Sequence, residues 1–561
     1  MREVALPEAA VGPYERLLGA DRVAGLRSAA ASFGAELRGR TIWHVNSTAA
    51  GGGVAEMLRA LLPLARAVGV DCRWLVTEGD AEAHALTKRL CLRLYGSAGD
   101  GGPLGEPEQR HYARICAADA AGLRTWVRPG DVVVVHDPQP AGLVEPAREQ
   151  GAAVVWRCHI GSDRPNEHTR QGWRFLRRYV EPAHRLVFSV RRHVPDWADR
   201  ERVRVIPPGV DPCSPKNMPL DEAAVTAVLR AVGLVAGPVD GAEPADGAGP
   251  ADGAGPAGGS GDRLAEAPLA VAALDGPDIM VRHGARVWRD GEPPSPATPM
   301  VVQVSRWDRL KGMDRALHAF AARDPAASPA CLTLAGPDPA GVADDPEGAA
   351  VLEECRRAWA ALPPQLRRTI QLACLPMADL RENALVVNAL QRHATVVAQL
   401  SVAEGFGLTL TEAMWKARPV VTTGVGGLAE QVVPGQHGLV LAGPAGAAGA
   451  DDAAAGADDA TETDAAARAD AAARADAAAG AEDVAAGAAR AFDRLLTDPD
   501  LARSLGTAAK RRVAEQFLPD RQLRRWGALL TELVAAAGPD VADQMPRDQT
   551  LRDQVLRDRT P

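Results

Sequence analysis

Short runs of apolar, largely β-branched residues alternate along this chain with segments of helical periodicity, and the pattern occurs twice. Runs that are apolar throughout are typical of strands covered on both faces of a parallel sheet. The alternation predicts an α/β architecture with two doubly wound, Rossmann-like domains facing each other across a cleft. The predicted strands are 41–47, 72–77, 132–137, 152–160, 185–189 and 202–209 in the first domain, and 300–307, 331–337, 369–376, 394–401 and 419–424 in the second.

The composition of the connecting segments sets the predicted boundaries. Two low-complexity stretches, 236–262 and 444–485, contain too few large apolar residues to fold by themselves. The segment HGARVWRD (283–290) has no assignment. We expect a disordered tail; the alternative, a helix that joins two copies of the chain, leaves a homodimer open. The predicted order is a first domain (1–215), a linker (216–297), a second domain (298–515), a helix that packs back (516–538) and the tail (539–561).

Charge and cysteine usage exclude several classes of protein. The formal net charge of -9 argues against a nucleic-acid binder. No apolar run reaches the roughly 18–20 residues of a membrane span, and we expect neither a signal peptide nor a membrane partner. The eight cysteines are scattered, whereas a disulfide framework or a zinc site needs closer groups. We therefore expect a cytoplasmic protein with reduced, mostly buried thiols and no metal held by protein ligands.

A basic motif follows the first predicted strand of the second domain. The sequence SRWDRLKG places Arg306 and Lys311 just beyond this strand, at the edge of the sheet where α/β proteins bind ligands. Arginine offers a planar fork for phosphate oxygens and lysine a mobile charge, so together they can neutralise a diphosphate. A solvated surface pair is the alternative.

A glycine-rich motif, EGFGLTLTE (404–412), follows a later strand of the same domain. Its glycines let the backbone approach a ligand closely, and a helix that begins near Leu408 directs free amides into the cleft. Glu404 before the helix and Glu412 within it can accept hydrogen bonds from sugar hydroxyls. A capping box from Thr409 to Glu412 is an alternative that explains Glu412 but not Glu404.

These two motifs, with the glycine-rich turn TTGVGGLAE (422–430), resemble the retaining glycosyltransferases of family 4, whose fold is the two-domain GT-B arrangement. Four first-half segments are similar to its trehalose synthase (glycosyltransferring) branch: NSTAAGGGVAEML (46–58), VVVHDPQPAGL (133–143), WRCHIGSDRPN (156–166) and VIPPGVDPCSPKN (205–217). The resemblance implies transfer of glucose from a nucleoside diphosphate glucose to free glucose, which forms trehalose. It implies no tightly bound cofactor and leaves activation by Mg²⁺ and the donor base open.

The resemblance also implies a role for each matching residue. Arg306 and Lys311 would bind the diphosphate of the donor. Glu412 would hold the ribose of the nucleotide, and Glu404 the transferred sugar. The remaining residues would contribute backbone amides of Leu408 and Thr409, a phosphate-covering loop at Gly52 and Gly53, and contacts to the reacting sugar and acceptor from His159 and Asp137.

Other interpretations of the same residues stay open at this level. The glycine loop fits an ordinary strand-to-helix turn, His159 a hydrogen-bonded structural histidine, and Asp137 a turn former. A trehalose phosphorylase would share the fold and bind phosphate where the diphosphate lies, and another family 4 transferase would use a different small acceptor. A nicotinamide oxidoreductase is disfavoured because Glu56 stands where its fingerprint needs a third small residue. A non-catalytic sugar sensor would not need the complete motifs.

Overall fold

The first domain is built on a seven-stranded sheet. The computed structural model describes residues 1–7, 11–49, 52–237, 268–326, 328–341, 347–441 and 483–536. The strands lie in the order β1-β3-β2-β4-β5-β6-β7, all parallel except the edge strand β1. They are β1 Arg2–Glu3, β2 Ile42–Asn46, β3 Cys72–Val76, β4 Val132–His136, β5 Ala153–Cys158, β6 Arg185–Phe188 and β7 Val203–Val205. The six predicted strands of this half are confirmed.

The valines of β4 show why this strand forms. Val133 and Val135 pack into the hydrophobic cluster on one face of the sheet, and Val132 and Val134 pack into the cluster on the other face. Successive side chains of a strand point to opposite faces, so a strand buried on both sides needs apolar residues at every position. The covering helices are α1 Gly12–Leu18, α2 Ala20–Glu36, α3 Gly52–Ala67, α4 Ala81–Leu94, α5 Glu106–Trp126, α6 Val144–Glu149 and α7 Glu167–Val180.

The second domain repeats this plan around a second seven-stranded sheet. Its strand order is β10-β13-β12-β11-β14-β15-β16, again parallel except for one edge strand. The five predicted strands are confirmed as β11 Met300–Val304, β12 Cys331–Pro337, β13 Ile370–Leu375, β14 Val396–Gln399 and β15 Val420–Thr423, with β16 Leu439–Leu441 added at the edge. The helices are α8 Glu222–Ala231, α9 Met313–Ala321, α10 Gly348–Ala360, α11 Pro364–Arg367, α12 Leu380–His393, α13 Leu408–Trp415, α14 Gly426–Gln431, α15 over 483–497, α16 Pro499–Gln516 and α17 Pro519–Ala536.

The segment predicted as a linker contributes to the second domain. The unassigned HGARVWRD contains β10, Arg286–Trp288, which pairs antiparallel with β13 and forms the edge of the second sheet. Helix α8 packs against α12, and β8 Leu269–Val271 pairs with β9 Ile279–Val281 to form a small hairpin. The predicted boundary at residue 298 is therefore wrong, because the sheet begins before it.

The carboxy-terminal helix α17 crosses back onto the first domain. Trp526, Leu529 and Leu530 join the cluster that includes Leu58 of α3 and Trp74 of β3. Residues 238–262, 444–482 and 539–561 of the predicted low-complexity and tail segments lie outside the described residues. All eight cysteines are free and six are buried, as their spacing predicts. Within the described part of the chain, no helix has the length and apolar character needed to cross a membrane.

Candidate active site

Asp137 and His159 stand next to each other at the carboxyl ends of β4 and β5. The Asp137 carboxylate accepts a hydrogen bond of 2.7 Å from the backbone N–H of His159. Asp137 has a φ of 63°, a left-handed conformation that residues other than glycine rarely adopt. Burial raises the pKa of Asp137 to about 7. Asp137 does form a turn, as its interpretation as a turn former predicts. Its side chain also fixes the loop that carries His159.

The His159 ring ends a line of three histidines, and the contact with Arg157 places the proton of the His159 ring. Arg157 Nε is always a donor and lies 3.0 Å from His159 Nε2, so that nitrogen accepts and bears no proton. His136 Nδ1 lies 3.0 Å from the same nitrogen, and His136 Nε2 lies 2.9 Å from His44 Nδ1. His159 Nδ1 therefore carries the proton of its ring, and Ser189 Oγ lies 3.5 Å away.

These three rings are neutral at pH 7. Burial lowers the pKa of His44 to about 3 and the pKa of His136 and His159 well below the usual range, and the Arg157 cation lowers each further. The interpretation of His159 as a hydrogen-bonded structural histidine holds for its Nε2 atom, which accepts a hydrogen bond from Arg157. Its Nδ1–H faces Ser189 Oγ at 3.5 Å, the upper limit of a hydrogen bond, and is therefore only weakly engaged by that residue.

On the second-domain side, Lys311 and Glu404 form an ion pair. The motifs that carry them follow the neighbouring strands β11 and β14. Lys311 Nζ donates to both carboxylate oxygens of Glu404 at 2.8 Å, and Ser401 Oγ donates to one of them at 3.2 Å. Glu404 is 6% exposed, so its charge is compensated inside the protein rather than by solvent. Lysine and carboxylate act as a unit here.

Arg306 lies on the outer side of this pair. Its side chain is 49% exposed, and Nη2 lies 3.3 Å from Asp308 Oδ2. Burial and the charge of Glu404 raise the pKa of the Tyr95 hydroxyl, and the charge of Arg306 acts in the opposite direction. Arg306 is therefore near enough to Tyr95 for its charge to act there, and it follows the same strand as Lys311.

The helix after Glu404 begins at Leu408 and not at the position a capping box requires. Its N-cap is Gly407, in the left-handed conformation with a φ of 85°, and no side chain in the described part of the chain caps it. Thr409 Oγ1 instead donates to Gln399 at 3.1 Å. The capping alternative for Glu412 is therefore wrong. The amides of Leu408 and Thr409 belong to the first turn, whose N–H groups lack partners within the helix.

Glu412 lies deep at the other end of the site. It is 1% exposed, and its Oε1 lies 3.5 Å from Nζ of Lys216, which comes from the connection after the first domain. Its Oε2 is buried and has no hydrogen-bond partner among the described residues. Burial raises the pKa of Glu412 to about 7, although Lys216 lowers it. Such a carboxylate oxygen is suited to accept a hydrogen bond from a ligand hydroxyl.

The two walls of the cleft meet at Gly405. A Cβ atom built there would collide with the carbonyl oxygen of His159 and lie 2.9 Å from the hydroxyl of Tyr95, both in the first domain. A Cβ on Gly53, at the start of α3, would lie 3.6 Å from Leu408. Gly52 starts the same helix with a φ of 74°. The structure thus brings the predicted residues of both domains to one cleft.

Sequence reasoning missed several residues that hold this cleft together. Asp163 accepts a hydrogen bond of 2.6 Å from the backbone N–H of Gly426 across the domains, and His193 Nε2 lies 3.2 Å from its other oxygen. Asp163 and Lys216 both lie in segments that carried the family resemblance, and this position is a signal that could have identified them as candidates. Tyr95, at the end of α4, had none. Among the described residues, no group of three or more acidic, histidine or cysteine side chains could hold a metal ion.

Comparison with known proteins identifies both halves of the chain. The family model described as trehalose synthase, N-terminal domain matches residues 44–195, and the model described as glycosyl transferases group 1 matches residues 298–456. The trehalose synthase of Pyrococcus horikoshii is 27% identical over 522 residues, which cover 93% of this chain and 95% of that protein. The trehalose synthase of Rubrobacter xylanophilus is 28% identical, with 87% and 89% covered. A trehalose phosphorylase of Pleurotus sajor-caju is 24% identical, but only 53% of its length is covered, against 74% of this chain.

Solved structures with the same fold are glycosyltransferases. The α,α-trehalose-phosphate synthase (UDP-forming) from Burkholderia vietnamiensis superposes with a TM-score of 0.55 at 15% identity, covering 88% of this chain and 98% of that one. The sucrose-phosphate synthase from Thermosynechococcus elongatus gives a TM-score of 0.53 at 17% identity, covering 89% and 100%. The two facing α/β domains and the match of each half lead to one conclusion: the chain belongs to the glycosyltransferases of the GT-B fold, and it is similar to trehalose synthases along nearly its whole length.

Proposed function

We propose that this chain transfers glucose from a nucleoside diphosphate glucose to free glucose, with retention of configuration, and so forms trehalose. The observation that carries the proposal is the convergence at Gly405 of Asp137 and His159 from one domain with the Lys311–Glu404 pair from the other. The similarity to trehalose synthases over 93% of the chain supports the choice of product.

In the proposed reaction, negative charge develops on the departing diphosphate. Arg306, Lys311 and the first-turn amides of α13 are the groups that would stabilise it, because each is a donor fixed before the bond breaks. Lys311 has three N–H donors and can face a phosphate oxygen while it still binds Glu404. Glu404, held by that lysine, would accept hydrogen bonds from hydroxyl groups of the transferred glucose.

The first domain would supply the acceptor side. The neutral His159 ring can donate its Nδ1–H to a sugar oxygen, and Asp137 orients the loop on which it lies. Closure of the two walls would exclude water and so suppress hydrolysis of the donor. A departing phosphate oxygen that takes the proton of the acceptor on the same face would retain the configuration.

Identification of the reaction product tests the proposed function. The full-length protein is incubated with UDP-, ADP- or GDP-glucose and with free glucose or other small sugars, without added phosphate and with or without Mg²⁺. We expect release of the nucleoside diphosphate only when an acceptor is present, and trehalose with an α,α linkage by NMR when that acceptor is glucose. Absence of trehalose with every donor would contradict the proposed product. A disaccharide with another acceptor would leave the transferase assignment intact.

Trehalose phosphorylase is the second candidate, because proteins of that name are also similar to this chain. Glu412 Oε2 has no hydrogen-bond partner among the described residues, and this favours the transferase, since a carboxylate oxygen can accept a hydrogen bond from a ribose hydroxyl but repels an anionic phosphate. Formation of glucose phosphate from trehalose and phosphate, without a nucleotide, would reverse this choice. The cytoplasmic location, the glucose acceptor, the donor base and a homodimer stay predictions.

A further inference from the structure

Lys216 contacts carboxylates from both domains. It follows the last strand of the first sheet, in the connection that leads to the second domain. Its Nζ lies 2.6 Å from Glu56 Oε1 on α3 and 3.5 Å from Glu412 Oε1 on α13. The side chain of Lys216 is 18% exposed, that of Glu56 47% and that of Glu412 1%. A single cation thus joins the helix that begins at Gly52 to the helix that would face the nucleotide.

The other cation near Glu412 is engaged elsewhere. Lys416 Nζ donates to Asn217 Oδ1 at 2.9 Å and to Gln391 Oε1 at 2.7 Å, and it reaches only the backbone carbonyl of Glu412, at 3.3 Å. Burial lowers the pKa of Lys416 to about 7. By contrast, the carboxylates of Glu412 and Glu56 outweigh the effect of burial and hold the pKa of Lys216 above its usual value. Lys216 is therefore the permanent positive charge beside the Glu412 carboxylate.

This lysine leaves half of the Glu412 carboxylate available. Oε1 faces Lys216, whereas Oε2 is buried without a hydrogen-bond partner among the described residues. A buried charge in this position is costly unless something completes its hydrogen bonds. Two vicinal hydroxyls, as a ribose carries, would do so.

We propose that Lys216 is a positioning residue for the nucleotide: it holds the Glu412 carboxylate ready for the ribose and ties it, through Glu56, to the phosphate-covering loop of the first domain. The proposal rests on the proposed function, in which Glu412 binds ribose. It adds that the ability to bind nucleotide depends on a lysine that touches no part of the donor.

Opposite effects of two substitutions follow from this arrangement. Lys216 favours the ionised form of Glu412, and Glu56 disfavours it. K216M therefore raises the pKa of Glu412, and the pH at which nucleotide affinity is half-maximal moves upward. E56Q removes a negative charge and leaves Lys216 to Glu412 alone, so this midpoint moves downward. Lys416 also favours ionisation and is unchanged in both variants.

The experiment measures binding of UDP, ADP and GDP to the full-length protein by calorimetry between pH 5.5 and 9. For the wild type, we expect nucleotide affinity to be half-maximal near pH 7, because only the ionised carboxylate of Glu412 can accept hydrogen bonds from both ribose hydroxyls. If K216M moves the midpoint up by one unit, affinity at pH 7 falls about fivefold. K216R should keep a midpoint near that of wild type. K88M is the matched control, because Lys88 is also a lysine that pairs with a glutamate of the other domain, with its Nζ 3.9 Å from Glu347.

Each outcome separates this proposal from the one beneath it. Normal nucleotide affinity in E412Q overturns the ribose assignment, and the role of Lys216 falls with it. Weak binding by E412Q together with an unshifted midpoint in K216M and E56Q overturns the role of Lys216 alone. A uniform loss of affinity at every pH in K216M would mean that the lysine is merely structural. If K216M does not fold, as checked by circular dichroism, the downward shift in E56Q and the normal midpoint of K216R decide.

Discussion

The two glutamates of the EGFGLTLTE motif lie in the same cleft but in contrasting surroundings. Glu404 receives two hydrogen bonds of 2.8 Å from Lys311 and one from Ser401, so its charge is fully compensated. Glu412 faces a lysine at 3.5 Å that is shared with Glu56, and one of its oxygens has no partner within the described residues. We call Lys311, Glu404, Asp137 and His159 the sugar end, and Glu412, Lys216 and Glu56 the nucleotide end.

In the proposed function, this difference lets one motif serve two purposes. The sugar end is assembled as a satisfied ion pair, which suits a group that must stay charged while charge develops beside it. The nucleotide end contains an incompletely paired charge, which suits a group that gains its hydrogen bonds from a ligand. The contrast predicts that substitutions at the two ends differ in their effects on turnover, affinity and folding.

The largest effect is expected for Lys311→Ala, which breaks the sugar end. Removal of a fixed donor to a developing negative charge typically costs about 10²–10³ in turnover. Glu404 also loses its counter-charge, which should lower the free energy of unfolding by about 1–3 kcal/mol. Steady-state kinetics and urea unfolding measure the two effects.

Arg309→Ala is the matched control in the same motif. Arg309 is 59% exposed and pairs with Glu354 on the surface, so its loss should change the free energy of unfolding by no more than about 0.5 kcal/mol and leave turnover near normal. Equal turnover in the Lys311 and Arg309 variants would show that Lys311 does not act on the leaving group.

The next largest effect is expected for Gly405→Ala, where the two walls meet. The added methyl group would collide with the carbonyl oxygen of His159, and the walls could not close on a substrate. We expect kcat/KM to fall about 10- to 100-fold, since small misplacements in a site cost this much. Gly53→Ala should change it less than about threefold, because its Cβ meets Leu408 at the ordinary distance of 3.6 Å. A larger loss in the Gly53 variant would move the critical contact to the phosphate-covering loop.

The sequence pattern predicts burial better than it predicts contacts across the cleft. The valines of β4 are apolar at every position, and the strand is buried on both faces. The edge strand Arg286–Trp288 was missed because it has three residues, two of them long and partly exposed, and lacks an apolar run. Local periodicity records which face of an element is covered. It does not record short pairings at the edge of a sheet.

The candidate site shows the same limit. The sequence alone predicted that Arg306, Lys311 and Glu404 lie at the edge of one sheet, because each follows a predicted strand of the second domain. The capping box failed because the N-cap is Gly407, two residues before the Thr409 that the Thr-x-x-Glu spacing suggests. Lys216 was missed because its contact with Glu412 depends on how the two domains dock, and neither segment contains that information by itself.

A third prediction concerns acid stability of the first-domain wall. The unfolded chain protonates His44, His136 and His159 below about pH 6.5, whereas the folded chain keeps them neutral. The folded-state pKa lies below the unfolded one, so stability is fully present above pH 6.5 and decreases as the pH falls. Each ring contributes about 1.4 kcal/mol per pH unit, or up to about 4 kcal/mol for all three between pH 6 and 5.

Urea unfolding at pH 7.5, 6 and 5 measures this slope, and His44→Phe isolates the histidine contribution from that of the carboxylates. The variant should lose about a third of the histidine slope, since one of three buried rings is gone. An identical slope in wild type and variant would mean that His44 takes up a proton in the folded state.

The smallest effect, and the one that tests the contrast between the two ends most directly, is the stability of Glu412→Gln. Glu404→Gln should lower the free energy of unfolding by about 1–3 kcal/mol, because Lys311 loses a charged partner. Glu412→Gln should change it by less than about 1 kcal/mol at pH 8, since it removes a buried charge and leaves Lys216 with Glu56. The folded-state pKa of Glu412, about 7, lies above the unfolded value of about 4.3, so its contribution is most favourable at low pH and is lost as the pH rises through 7. The difference between variant and wild type should therefore move in favour of the variant from pH 5 to pH 8, as urea unfolding at both values would show. A loss in Glu412→Gln as large as that in Glu404→Gln would mean that both carboxylates are satisfied within the protein, and that the nucleotide end does not depend on a ligand to complete it.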